Sequence, residues 1–113
     1  MILPSKKLMS KVLGHEIIYN GEIGSECLNG NTLTYFTNGM IAHKINIYEL
    51  MHMMKEWAST KGYCIIQDTR GYTKVHRISS HEAKFWEDDE YSPSRVIDCC
   101  EWILEREGIE NEM

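Results

Sequence analysis

Two neighbouring stretches of opposite charge carry the side chains of this chain that could do chemistry. The first, Tyr63–Ile78, interleaves cations with aromatic rings, and its candidate ligand-binding residues are Arg70, Tyr72, Lys74 and Arg77. Cations beside stacking rings suit phosphates and bases, so this segment predicts a small-ligand, nucleotide or nucleic-acid site. On a strand, however, Tyr72 and Lys74 share one face and Arg77 takes the other, so a solvated sheet face with scattered charges is the favoured interpretation.

The second stretch is an acidic run flanked by aromatic residues. Its members are the candidate partner-binding residues Trp86, Glu87, Asp88, Asp89, Glu90 and Tyr91. Such a run is usually a solvated loop. A functional interpretation is that this segment and the C-terminal helix imitate phosphates and occupy a nucleic-acid-binding surface of another protein, with Trp86 as an aromatic anchor. Acidic charge would also speed the encounter with a basic partner.

The histidines and cysteines lack the spacings that metal binding or catalysis requires. The sequence contains no His-Glu-x-x-His, Cys-x-x-Cys, calcium-loop, phosphate-loop or Gly-x-Ser-x-Gly pattern. His52 is expected on a helix surface, Cys100 in the core and Cys99 at the core boundary. We therefore expect no metal, no cofactor and no catalytic residue; an uncharacterised enzyme that uses a histidine and a carboxylate is the alternative.

Caps and apolar spacing predict the helices that position these residues. The expected helices are Lys6–Leu13 after a Ser5 cap, a second that begins at Asn46, and a third that begins at Ser92-Pro93. Gly108 is expected to end the third helix, with 109–113 as a frayed tail.

Turn signals and alternation predict the strands. Asn38-Gly39 is a two-residue turn between Leu33–Thr37 and Met40–Ile45, and Tyr63–Ile78 forms a second hairpin. Glu22–Asn31 fits a loop or a poor edge strand, whereas Ser79–Tyr91 is expected to be irregular. Each hairpin precedes a helix with a tryptophan near its end, which predicts a strand-strand-helix unit used twice. The expected fold is α+β, an antiparallel sheet with helices packed against it, in the order helix, strands, hairpin, helix, hairpin, helix.

The composition limits the class of protein. A length of 113 residues predicts a single domain, 1–113, and 42% hydrophobic with 26% charged residues argues against disorder. The apolar runs are too short for a bilayer span or a signal peptide, so we expect a cytoplasmic protein without membrane attachment. The net charge is −5, and residues 82–113 hold eleven carboxylates against three basic residues. This uneven distribution of charge bears on which partners the protein binds, and it does not decide the fold.

Three segments match a known pattern: Leu8–Gly14, the helix end Glu56-Trp57-Ala58 before a strand, and the closing helix Ser94–Leu104. They are spread over most of the length of the chain, and their order resembles that of small phage and prophage proteins of the phage ABA-sandwich domain family. His15 departs from that family, which has a tryptophan after the first glycine. The resemblance implies a mobile-element origin and a helix-sheet sandwich, and it transfers no catalytic residue.

The expected function combines this resemblance with the acidic C-terminal third. We expect a noncatalytic phage or mobile-element protein that binds and modulates a host protein, with an anti-CRISPR-like inhibitor of host defence as the most specific form. The small-ligand or nucleotide-binding module on the basic hairpin is the second interpretation. The exposed set Met53, Phe85 and Trp86 also fits a homodimer.

Overall fold

Seven short strands and three helices make up the described part of the chain. A computed structural model describes residues 4–14, 16–18, 28–37, 41–68, 72–87 and 93–112, without the side chains of 28, 29, 87 and 109–112. The helices are α1 (Lys6–Leu13), α2 (Ile47–Thr60) and α3 (Pro93–Glu112). The strands are β1 (Ile17–Ile18), β2 (Leu28–Asn29), β3 (Thr32–Thr37), β4 (Ile41–Asn46), β5 (Tyr63–Gln67), β6 (Tyr72–Arg77) and β7 (Ala83–Glu87). The α+β prediction is confirmed.

The strands form two antiparallel sheets. In the first sheet β3 is central: β4 pairs along one edge, while β1 and β2 pair with opposite ends of the other edge. The second sheet has the order β5-β6-β7. Each sheet is followed directly in sequence by a long helix, α2 after the first and α3 after the second. The predicted repeat is therefore present with three or more strands in each unit.

The helix starts agree with the capping signals. The Ser5 hydroxyl accepts a hydrogen bond from the Leu8 backbone N–H at 3.1 Å, and the Asn46 side-chain oxygen accepts one from the Tyr48 N–H at 2.9 Å. Each cap satisfies a backbone donor that has no partner inside its helix. Gly14 ends α1 with a φ of 80°, a left-handed conformation that costs other residues free energy.

Three local predictions are wrong. Residues 83–87, expected to be irregular, form β7, because their backbone pairs with β6 along its whole length. Gly108 does not end α3, which continues to Glu112; an interior glycine costs a helix only about 1 kcal/mol, which the flanking turns tolerate. Finally, Thr37 pairs with Ile41, so three residues connect β3 to β4 instead of two. The Asn38-Gly39 dipeptide lies outside the described residues.

The core lies between the helices and the inner faces of both sheets. Leu33 and Tyr35 of β3 alternate with less buried residues, as do Thr73 and Val75 of β6. Against these faces pack the apolar stripes of the helices, and α2 and α3 also pack on each other. The buried helical residues are Leu8, Met9, Ile47, Leu50, Met54, Trp57, Ala58, Val96, Ile97, Cys99, Cys100, Ile103 and Leu104. The same stripes fix the direction in which the remaining helix faces point.

Candidate interaction groove

A groove of about 450 Å³ lies between strand β7 and helix α3. Its lining combines two tryptophans, three carboxylates and one lysine: Lys84, Trp86, Asp98, Glu101, Trp102 and Glu105. We refer to this feature as the acidic groove. Its volume lies within the range of small-molecule binding pockets.

Strand register explains why β7 supplies its part of the lining. Lys84 is opposite Val75 and Trp86 is opposite Thr73, and both partners are buried on the inner face of the second sheet. Phe85, between them, points to the outer face and is 51% exposed. Because β7 is an edge strand and α3 packs across β5 and β6, the inner face of β7 borders open space beside the helix.

Helical spacing explains the opposite wall. The lining residues of α3 recur at intervals of three or four residues, so they share one side of the helix. They are Asp98, Glu101, Trp102 and Glu105. The buried stripe that includes Ile97 and Ile103 docks the other side of the helix into the core. Trp102 is anchored by an edge-to-face contact with the buried Tyr63, whose ring centroid is 5.8 Å away.

The three carboxylates of the groove differ in whether they already have an ion-pair or hydrogen-bond partner among the described residues. Asp98 pairs with Arg95 at 2.6 Å within α3. Glu101 accepts a hydrogen bond from the Ser5 hydroxyl at 2.8 Å, which ties α3 to the start of α1. Glu105 is exposed and has no ion-pair partner among the described residues. It is therefore the carboxylate best placed to receive a charged group from outside.

Both tryptophans already have a cation over the ring. The Lys84 Nζ lies 5.3 Å from the ring centroid of Trp86, and the Arg106 guanidinium carbon lies 5.7 Å from that of Trp102. Arg106 is held there by Glu82, which also accepts a hydrogen bond from Arg77 at 3.4 Å. These distances are within the range of cation–π attraction.

The structure separates the residues of the basic hairpin. Tyr72 and Lys74 lie on the outer face of the second sheet beside Phe85, with the Lys74 Nζ 5.4 Å from the Phe85 ring centroid. Arg77 lies on the inner face, over the ring of Tyr63 at 5.9 Å. Arg70 is outside the described residues. The candidates Tyr72, Lys74 and Arg77 thus do not converge on one ligand, and Arg77 serves the contact between the sheet and α3.

The acidic run is only partly described. Trp86 lines the groove, Glu87 is paired through its backbone with Tyr72, and 88–91 lie outside the described residues. Phe85 and Trp86 point to opposite faces, so the predicted homodimer set of Met53, Phe85 and Trp86 is not one patch. Sequence reasoning did not single out the residues that α3 contributes to the groove, although their spacing of three and four was visible.

The buried thiols are protected by the fold. Cys99 and Cys100 are both fully buried, so the expectation that Cys99 lies at the core boundary is wrong. Desolvation raises the pKa of Cys99 from 9.0 to about 12 and raises the pKa of Cys100 as well. Cys100 donates to the Met54 carbonyl oxygen, with sulfur and oxygen 3.7 Å apart. Neither thiol has the thiolate character or the access of a nucleophile.

Alkylation should distinguish the cysteines by burial. In a Cys27→Ser background, which removes a cysteine outside the described residues, iodoacetamide at pH 8 should modify the half-buried Cys64 first. Cys99 and Cys100 should react at least about a hundredfold more slowly, because the reagent reaches them only after the core opens. Peptide mapping by mass spectrometry measures the three rates, and addition of urea should make them similar. Rapid native modification of Cys99 would contradict this placement of α3.

The other candidate chemistry is not assembled among the described residues. No group of three or more histidine, cysteine, aspartate or glutamate side chains is placed there to hold a metal ion. His52 is exposed and faces Glu56 at 3.1 Å on the surface of α2, as expected. In the same part of the chain, no helix is both long enough and apolar enough to cross a membrane.

Comparison with known proteins returned no match: no protein-family model, no curated protein and no solved structure matches this chain. The resemblance to the phage ABA-sandwich family stays a prediction. The functional argument therefore starts from the geometry of the acidic groove.

Proposed function

We propose that this chain is a noncatalytic interaction protein that binds a partner protein through the acidic groove. The observation that carries the proposal is the juxtaposition of Trp86 and Trp102 with the carboxylates of α3 around one cavity. Tryptophan is enriched among the residues that dominate protein–protein binding energy, especially where it lines a pocket. The carboxylates favour a basic partner and would accelerate the encounter with it.

The biological form of the proposal rests on the sequence. The resemblance to phage proteins and the acidic C-terminal third support a mobile-element protein that acts in the cytoplasm on a host protein. A basic, nucleic-acid-binding surface is the complementary target, because the acidic run and the carboxylates of the groove would occupy it in place of phosphates. An inhibitor of host defence, of the anti-CRISPR kind, is the most specific form of this proposal.

Affinity capture with matched charge variants tests the proposal. Tagged wild-type protein should retain one stoichiometric protein from bacterial lysate at low salt, and Glu105→Lys should lose most of it, because the new cation repels a basic partner from the groove. Glu56→Lys, at a side chain that is 69% exposed on α2, makes the same change in net charge away from the groove. It should retain the partner, and mass spectrometry quantifies both. Equal losses with the two variants would show that net charge, not the groove, governs binding.

A second candidate is a ligand-binding surface on the outer face of the second sheet. Tyr72, Lys74 and the exposed Phe85 lie together there, with the rings of Tyr72 and Phe85 5.7 Å apart. An exposed sheet face with rings and a cation can stack a base. It supports a small-ligand or nucleotide-binding module, and it is separated from the acidic groove by the thickness of the sheet.

A further inference from the structure

We infer that the acidic groove recognises an arginine side chain in a basic segment of the partner protein, and that Lys84 competes with this arginine. The inference rests on the proposed function, because it names what the groove would bind. It commits to a peptide segment as the occupant on the grounds of charge complementarity. The lining residues hold three carboxylates against one lysine.

The chain itself shows how a cation can be accommodated at this site. Lys84 and Arg106 already lie over the rings of Trp86 and Trp102. A cation within about 6 Å of a tryptophan centroid is attracted by the ring quadrupole, and the attraction grows as the site is desolvated. A partner cation that displaces one of these two side chains would meet the same ring quadrupole.

The carboxylates determine where in the groove a cation of the partner protein binds. Asp98 and Glu101 already bond to Arg95 and Ser5, whereas Glu105 has no ion-pair partner among the described residues. An incoming cation therefore pairs with Glu105 without first breaking a contact of the folded chain. The pairing would lie on the side of the groove formed by α3.

Arginine fits this combination better than lysine. Its planar guanidinium stacks on an aromatic face and can still donate two parallel hydrogen bonds to a carboxylate in the same plane. The lysine ammonium is compact, strongly hydrated and lacks this planar fork. A groove that offers a ring and an available carboxylate together uses both properties of the guanidinium.

Lys84 is the built-in competitor. It is the basic residue of the lining, and its ammonium lies over Trp86, one of the rings that an incoming arginine would use. Its charge repels a second cation, and its side chain has to leave the ring before another can stack there. Neutralising Lys84 should therefore strengthen binding of a cationic peptide, whereas neutralising Glu105 should weaken it.

Nitrogen-15 NMR of the tryptophan indoles tests the inference directly. The probe is the peptide acetyl-Gly-Arg-Gly-Arg-Gly-amide, and its controls carry citrulline, which has the shape of arginine without the charge, or lysine. The indole signals of Trp86 and Trp102 should shift saturably with the arginine peptide, while that of Trp57, only 8% exposed in the core, should not. Single Trp→Phe variants assign the three signals.

The variants should change the peptide affinity in opposite directions. We expect Glu105→Gln to weaken binding about two- to fivefold and Lys84→Gln to strengthen it about twofold, the size of effect expected for exposed charge pairs. Glu56→Gln is the matched control and should leave the affinity unchanged. Binding of the citrulline peptide with equal affinity, or the absence of indole shifts, would overturn the inference. Equal affinity for the lysine peptide would remove the preference for arginine.

The outcome is distinguishable from that of the proposed function. If partner capture depends on the groove but the arginine peptide neither binds nor competes, the inference fails and the proposed function stands. If the peptide binds and partner capture does not depend on the groove, the proposed function fails, and only the preference of the groove for arginine stands. An oligonucleotide that shifts the same indoles more strongly than the peptide would assign the groove to nucleic acid, against both statements.

Discussion

Replacing Ile103 by alanine is expected to lower the free energy of unfolding by about 3 kcal/mol, in the usual range for a buried large-to-small substitution. Ile103 is completely buried in the stripe of α3 that faces the core. Alanine removes several methyl and methylene groups and leaves a cavity that the surrounding helices and sheets fill only partly. Urea denaturation, followed by far-ultraviolet circular dichroism, measures the change.

The control for this prediction is Glu105→Gln, two residues further along the same helix. Glu105 is exposed on the groove side of α3, so its substitution should change the free energy of unfolding by less than about 0.5 kcal/mol. The two variants test the two faces of α3 separately. Ile103→Ala tests the face that stabilises the fold, and Glu105→Gln tests the face that lines the groove. Similar losses from both substitutions, or a loss below about 1 kcal/mol from Ile103→Ala, would mean that α3 does not dock as described.

The predictable part of the fold depended on local signals. Helix α1 begins after the Ser5 cap and ends at the left-handed Gly14, as expected. The Asn46 side chain caps the start of α2, as its spacing to Glu49 indicates. In each case the information lies within a single turn of the chain. Backbone donors that lack a partner must be satisfied locally, so the sequence around them is restricted.

The missed strand depended on a partner distant from its own residues. The segment that forms β7 is rich in charge. Its alternation of side chains between two faces becomes recognisable only when it is paired with β6. Once paired, Trp86 and Lys84 point inward while Phe85 points outward. Edge-strand pairing of this kind is decided by tertiary context, which intrinsic strand propensity describes poorly.

The groove arises where the two repeated units diverge. Trp57 of α2 and Trp102 of α3 occupy corresponding places in the helices of the two repeated units, each after a glutamate. Trp57 is buried in the core, whereas Trp102 is partly exposed, packs on Tyr63 and lines the groove. The repeat in the sequence thus predicts the shared architecture, and the difference in burial between the two tryptophans marks the surface at which the units differ. Sequence alone gives no reason for that difference, because it follows from tertiary packing, in which α2 contacts α1, α3, β4 and β5.

Replacing Trp86 by alanine should weaken binding of the captured partner by at least about thirtyfold, the effect of losing a dominant interface residue. Its indole forms one wall of the acidic groove and would be further desolvated by a bound segment. Phe85→Ala is the matched control, because it removes a large ring from the adjacent position on β7 but on the outer face. We expect less than a threefold change for that variant. Titration of purified partner by isothermal calorimetry measures both affinities.

Thermal unfolding of both variants must accompany these titrations, because Trp86 also packs against the core. If Trp86→Ala melts below the titration temperature, Trp86→Phe serves instead, since it keeps a ring in the groove and loses the indole surface and N–H. A loss of affinity confined to the folded Trp86 variants places the partner in the acidic groove. The opposite pattern, in which Phe85→Ala abolishes binding and the Trp86 variants do not, would move the interface to the outer face of the second sheet, where Tyr72 and Lys74 lie beside Phe85. Adjacent residues of one strand therefore decide between the two candidate surfaces, because strand geometry sends their side chains to opposite sides of the sheet.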